Sequence, residues 1–247
     1  MPNVGKSTLF NALTSADISA ENYPFCTIEP HVGIVEVPDP KLYKIAALIK
    51  PEKITPTTVT FIDIAGLVKG ASKGEGLGNK FLSNIRQVDA ILHVVRCFKD
   101  KEITHVEGRI DPENDALIIE TELLLSDIET IEKRLLKTEK QFKSNQSKAR
   151  KEYELLERLF EHFNNGFPAK TFPFLDTEKR LIKPLNLLTL KPILYIANLE
   201  ESSISDIPNN NLAPGLSKLA KKNNEEIIFL CAKIEQEISS LKTDEKE

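Results

Sequence analysis

Apolar residues fall along this chain in short runs, separated by longer stretches in which they recur every three or four positions. The short runs, at residues 34–37, 58–62, 91–95, 193–197 and 227–230, include several rich in Val, Ile and Phe. That composition suits strands buried in a sheet. Helical patterns lie between the runs, and the alternation predicts an α/β fold, a mostly parallel sheet with helices on both faces. Two helix starts are legible. Asp39-Pro40 and Asp111-Pro112 each set a capping carboxylate before a proline at the first helical position.

One stretch, residues 112–163, carries no strand signal. Leu124, Ile128, Ile131, Leu135, Thr138 and Phe142 recur at four-then-three spacing, the seam of a coiled coil. Ser144-Asn145-Gln146-Ser147 reads as a turn, and Leu155, Leu156, Leu159, Phe160 and Phe163 form a second stripe. Asn164-Asn165-Gly166, with Pro168 beyond, ends that helix. The prediction is a helical hairpin, residues 112–185, inserted into a discontinuous α/β domain of residues 1–111 and 186–247.

Composition narrows the class. Net charge is −4 over 247 residues, so no global basic field points to nucleic acid. Cys26, Cys97 and Cys231 are scattered, which argues against a disulfide framework or zinc site and fits a reducing compartment. No apolar run approaches ~18 residues, and no basic-then-apolar leader opens the chain. A soluble, cytoplasmic, monomeric protein with no membrane contact is expected. Charge is uneven, however. Between residues 133 and 151, Lys133, Arg134, Lys137, Lys140, Lys143, Lys148, Arg150 and Lys151 face only Glu139, a local balance of +7. This is either a solvated helix face or a surface for RNA phosphates, with ribosomal RNA the expected partner. Aromatics that could stack on bases are scarce there.

The chemistry begins at the first residues. Pro2-Asn3-Val4-Gly5-Lys6-Ser7-Thr8 runs into Leu9-Phe10-Asn11 and supplies the second half of a G-x-x-x-x-G-K-[S/T] phosphate loop. The first Gly would sit one place before Met1, and the leading strand is likewise missing. In such loops successive N–H groups cradle phosphates, here from Asn3 to Thr8, with Lys6 on the β/γ-phosphates and Ser7 on Mg2+. Residues 58–62 lead into Asp63-Ile64-Ala65-Gly66, a D-x-x-G turn whose Asp sits beside magnesium and whose Gly senses the γ-phosphate. Gly66, Gly70, Gly74, Gly76 and Gly78 then follow closely. Thr27 is the candidate to complete the metal shell, with Thr8 and Thr14 as rivals. A base-reading loop follows residues 193–197 as Asn198-Leu199-Glu200-Glu201. Guanine readers carry N-K-x-D there. Leu199 and the longer Glu201 shift the expectation toward adenine, and an N-cap turn without a role in base choice stays open. Cys231-Ala232-Lys233 resembles the S-A-K loop whose backbone closes over the base.

Together these residues resemble the YchF, or Obg-like ATPase, family of P-loop switch proteins: P-N-V-G-K-S-T-L-F-N, N-Y-P-F-C-T-I-E-P, D-I-A-G-L-V-K-G-A-S-K-G-E-G-L-G-N-K-F, H-V-V-R-C-F and N-x-x-E. The likeness covers the whole chain. It implies a Ras-like P-loop NTPase fold, slow Mg2+-dependent hydrolysis of ATP in preference to GTP, and association with ribosomes. Family members also carry an opening strand and a C-terminal TGS domain, both absent from this sequence. Leu67 follows Gly66 where small GTPases place a water-orienting Gln. The resemblance gives that task to His105, which the residues alone would leave as a surface-loop histidine. It also matches Asn3 to a position where related proteins bind potassium. His93 reads as a core residue, and His162 has no visible partner. Two other readings stay open: an RNA- or ribosome-binding module with a vestigial nucleotide site, and a GTPase.

Overall fold

The computed structural model describes residues 1–14, 32–64, 77–99, 110–143, 147–209, 213–241 and 245. Thr27, Gly66 and His105, and the turn at residues 144–146, lie outside the described residues.

Helix α1 (Lys6–Thr14) follows the phosphate loop. Strand β1 (Val32–Glu36), helix α2 (Pro40–Ile49) and strand β2 (Thr58–Ile62) come next, then helix α3 (Leu77–Gln87) and strand β3 (Ile91–Cys97). Two long helices, α4 (Pro112–Lys143) and α5 (Ser147–Asn164), precede a short α6 (Asp176–Ile182). Strand β4 (Ile193–Leu199), helix α7 (Ala213–Lys222), strand β5 (Glu226–Leu230) and helix α8 (Ala232–Ser239) complete the order.

The described strands form two sheets. β3, β4 and β5 are parallel, with Ile91 opposite Ile193 and Tyr195 opposite Ile227. β1 and β2 instead pair antiparallel, Val32 opposite Ile62, so this part departs from the parallel expectation. The reason lies in α2. A parallel crossover packs its helix onto the sheet, but α2 buries none of its residues. The chain therefore makes an excursion and returns beside itself, and the Val37 N–H donates to the Thr57 carbonyl at 2.8 Å. β2 is also more exposed than its composition predicts, with Val59 at 44% and Ile62 at 37%.

β4 divides the core by its period of two. Ile196 joins Met1, Val4, Leu9, Leu82, Val94 and Ala232 on one face. Tyr195, Ala197 and Leu199 join Val95, Cys97 and Leu216 on the other. α1 packs against α8, and Gly33 of β1 admits α1 closely, because a Cβ there would strike the Thr14 and Phe10 side chains. α4 serves two bodies. Its first turns supply Ile119 and Leu123 to the sheet core, while Leu124, Ile128, Ile131 and Leu135 pack with Leu155, Leu156, Leu159 and Phe163 of α5. The α5 helix ends at Gly166, φ +83°, the left-handed turn a glycine permits. No described helix is long and apolar enough to cross a membrane.

Candidate functional site

The turn before α1 is left-handed at two points, Asn3 (φ +58°) and Gly5 (φ +92°). These angles curl the backbone so that α1 opens with its N–H groups free for an anion, the arrangement that favours phosphate. Gly5 is needed for a second reason: a Cβ there would overlap the Asn198 amide. Lys6 Nζ donates to the Met1 carbonyl at 3.0 Å, folded back over the turn. Burial pushes the Lys6 ammonium below the ordinary lysine value, and the neighbouring Asp63 carboxylate works against that shift. Ser7 Oγ donates to Asp63 Oδ2 at 2.7 Å, across 56 residues of sequence.

Asn198, only 4% exposed, joins three loops. Its Nδ2 donates to the Val4 carbonyl and its Oδ1 accepts the Ala232 N–H, both at 2.9 Å. The end of β4, the phosphate turn and the start of α8 are thereby fixed together. Beside them lies a cavity of about 810 Å3. Asn3, Gly5 and Thr8 line one side, Asn198 to Glu201 a second, and Cys231, Ala232 and Lys233 a third. Leu199 lines it too, though it is 1% exposed and belongs to the core cluster with Cys97 and Leu216. Of the rival threonines, Thr14 Oγ1 turns back onto the Phe10 carbonyl at 2.8 Å, while Thr8 faces the cavity.

A family model described as "50S ribosome-binding GTPase" matches residues 1–128. "Ribosome-binding ATPase YchF" of Bacillus subtilis (strain 168) is 53% identical over 247 residues, covering 100% of this chain and 68% of that protein. The protein of the same name in Escherichia coli O157:H7 is 45% identical, with 67% of its length covered. The chain belongs to the YchF family. The solved "Structure of the Schizosaccharomyces pombe YchF GTPase" superposes on it with TM-score 0.83 at 36% identity, covering 100% of this chain and 67% of that one. The P-loop GTPase fold is thus established, and this chain spans about two thirds of the length of these YchF relatives.

The YchF fold also brings in residues to which sequence reasoning gave no role in the site. Phe98 and Lys99, just past β3, also line the cavity. Arg96 holds Phe98, its Nε donating to the Phe98 carbonyl at 3.2 Å and its guanidinium lying 4.7 Å from the ring centroid. The sequence signal was the H-V-V-R-C-F run, quoted for the family resemblance but given no role in the pocket. His162 does have partners: its Nε2 lies 2.9 Å from Thr171 Oγ1 and 3.3 Å from the Pro168 carbonyl. A second cavity of about 150 Å3 sits between α4 and the turn at Leu188–Leu190. Its polar groups are already matched, Glu120 by Tyr195 and Asn223, and Lys170 by Glu225.

Proposed function

We infer that this chain is a nucleotide switch that binds and slowly hydrolyses ATP, with ribosomes as its partner. The observation that carries the reading is the meeting of Ser7 and Asp63 beside Lys6, on the same turn whose Asn3, Gly5 and Thr8 line the Asn198 cavity. Two hard oxygen donors, one in the first turn of α1 and one just past β2, suit Mg2+, which takes one or two protein ligands and completes its shell with phosphate and water. Ser7 and Asp63 would hold the ion, with Thr27 as a third ligand, and the ion would neutralise charge on the phosphates.

The residues of the chain do the rest. The turn at Asn3 to Gly5 orients the phosphate tail, and Lys6 exchanges its Met1 carbonyl for a phosphate oxygen. Asn198 holds the pocket together through backbone groups, and its amide has a second hydrogen to offer the base. Glu201, exposed where the chain leaves β4, stands where guanine readers place an Asp. Its extra methylene and the apolar Leu199 favour adenine. Gly66 registers the γ-phosphate, and His105 is assigned to orient the attacking water. The relatives named ribosome-binding support the partner. The surface for it is the hairpin tip, where Lys137, Lys140 and Lys151 make no ion pair among the described residues.

Titration of ATP and GTP into the purified chain with Mg2+ tests this. Tighter ATP binding is expected, lost in Lys6→Ala. His105→Ala should keep the ATP affinity and slow turnover. Preference for GTP would make the protein a GTPase, the activity for which the Schizosaccharomyces pombe relative is named. Binding of neither nucleotide would leave a ribosome-binding module alone.

A further inference from the structure

The end of α3 is gripped from several sides by groups that play no part in the pocket. Arg86, in the last turn of α3, sends Nη2 to the Ser126 carbonyl at 3.3 Å, to Ser126 Oγ at 2.8 Å and to Thr130 Oγ1 at 2.8 Å. All three acceptors are on α4. Its Nη1 donates to the Asn186 carbonyl at 3.2 Å and lies 3.7 Å from Asp127 Oδ1. Lys191 Nζ closes the other side, donating to the carbonyls of Arg86 and Val88, where a cation complements the C-terminal end of a helix.

Asp127 explains why this is more than a brace. It is fully buried; burial pushes its carboxyl up, and Arg86 is one of four groups that work against that shift. The Leu188 N–H, the Thr189 N–H and Thr189 Oγ1 all donate to it at 2.8 Å. Arg86 stands beyond hydrogen-bond reach of Asp127 and is a quarter exposed. If the guanidinium exchanges partners along α4, three donors keep hold of the buried carboxylate, and only the longer attraction to Arg86 changes. Thr130 Oγ1 also donates to the Ser126 carbonyl at 2.9 Å, so both hydroxyls lie on the same stretch of α4 and can re-aim together. The segment that satisfies Asp127 runs directly into β4, which ends in Asn198. One arginine thus touches the helix after the D-x-x-G run, the stem of the hairpin and the segment leading back to the pocket.

We propose that Arg86 is the transmission residue that hands the state of the nucleotide site from α3 to the helical hairpin. This rests on the switch reading above. A contact of this kind carries coupling when two arrangements of it are biased by both sites. The expected consequence is that the hairpin, and any partner held at its tip, responds to which nucleotide is bound.

The test is hydrogen exchange of the α4 amides at residues 126–143 in the intact chain, with Mg2+-ADP and with a non-hydrolysable ATP analogue. Wild type should differ between the two nucleotides by about fivefold or more in exchange rate, the usual lower range of coupling between sites. Arg86→Met keeps the apolar stem and removes the donors; it should bind both nucleotides within twofold of wild type and lose the difference. Thr130→Val, which alters α4 alone, should reduce it and serves if Arg86→Met melts without cooperativity. A full difference retained in both variants, or none in nucleotide-bound wild type, overturns the coupling and leaves the ATPase reading standing. Failure of wild type to bind nucleotide overturns both.

Discussion

His93 shows how one residue's surroundings set a pH dependence. It sits in β3, 8% exposed, with its ring 5.5 Å from that of Tyr195. Burial holds its imidazole neutral and pushes its pKa down to about 3. In the unfolded chain a histidine titrates near 6.5. Below that pH the unfolded state takes up a proton that the folded state refuses, so stability falls with acidification, by about 1.4 kcal/mol per pH unit until about pH 3. Between pH 6.5 and 5 the unfolding free energy of wild type should thus drop about 2 kcal/mol relative to His93→Phe. Urea denaturation of both proteins checks this, and a difference that stays constant with pH would refute it. Cys97 is the matching case on the opposite sign: burial pushes its thiol up to about 12, which leaves it a packing residue and not a nucleophile.

Among elements, the hairpin was the most legible because its signal is periodic over many turns. The spacing of Leu124, Ile128, Ile131 and Leu135 forms the stripe that meets α5. Leu159, fully buried in that seam, should cost about 2–5 kcal/mol when cut to Ala. Leu136, on the same hairpin but 60% exposed, should cost under about 0.5 kcal/mol. Thermal melting of the two variants compares them directly, and equal losses would mean the seam is not the source of the hairpin's stability. β1 and β2 were legible as strands but not in their direction. Strand-helix-strand spacing is the same for a crossover and an excursion, and only the unburied surface of α2 distinguishes them.

At the scale of the whole molecule, charge is redistributed by folding. The +7 counted along residues 133–151 is partly spent within the hairpin. Arg134 pairs with Glu152 at 2.6 Å, Lys133 with Glu129 at 2.9 Å and Arg150 with Glu154 at 2.8 Å. The two exposed pairs lie within single helices and contribute little to stability, but they lower the tip's field. Reversal of Lys137, Lys140 and Lys151 to Glu should weaken ribosome association and flatten its dependence on salt by roughly 0.7–0.9 in log–log slope for each lost phosphate contact. Ribosome pelleting across a salt series reads this, and an unaltered slope would remove the tip from the interface. Reversal of Lys133 and Arg150, already paired, should change the slope less.

The sequence by itself determined what is encoded by near neighbours. The strand runs, the caps at Asp39 and Asp111, the seam and the Gly5-Lys6-Ser7 turn each depend on residues within a few positions of one another. Only the tertiary structure decided what those pieces do to each other. The motif marked Asn198 as part of a base-reading loop, and only the fold showed that it also ties the Val4 carbonyl to the Ala232 N–H, 194 and 34 residues away. Arg86 carried no motif at all, and its partners lie 40 or more residues further along the chain. A hydrogen bond needs two groups within about 3 Å, and no local pattern records which distant backbone will arrive there.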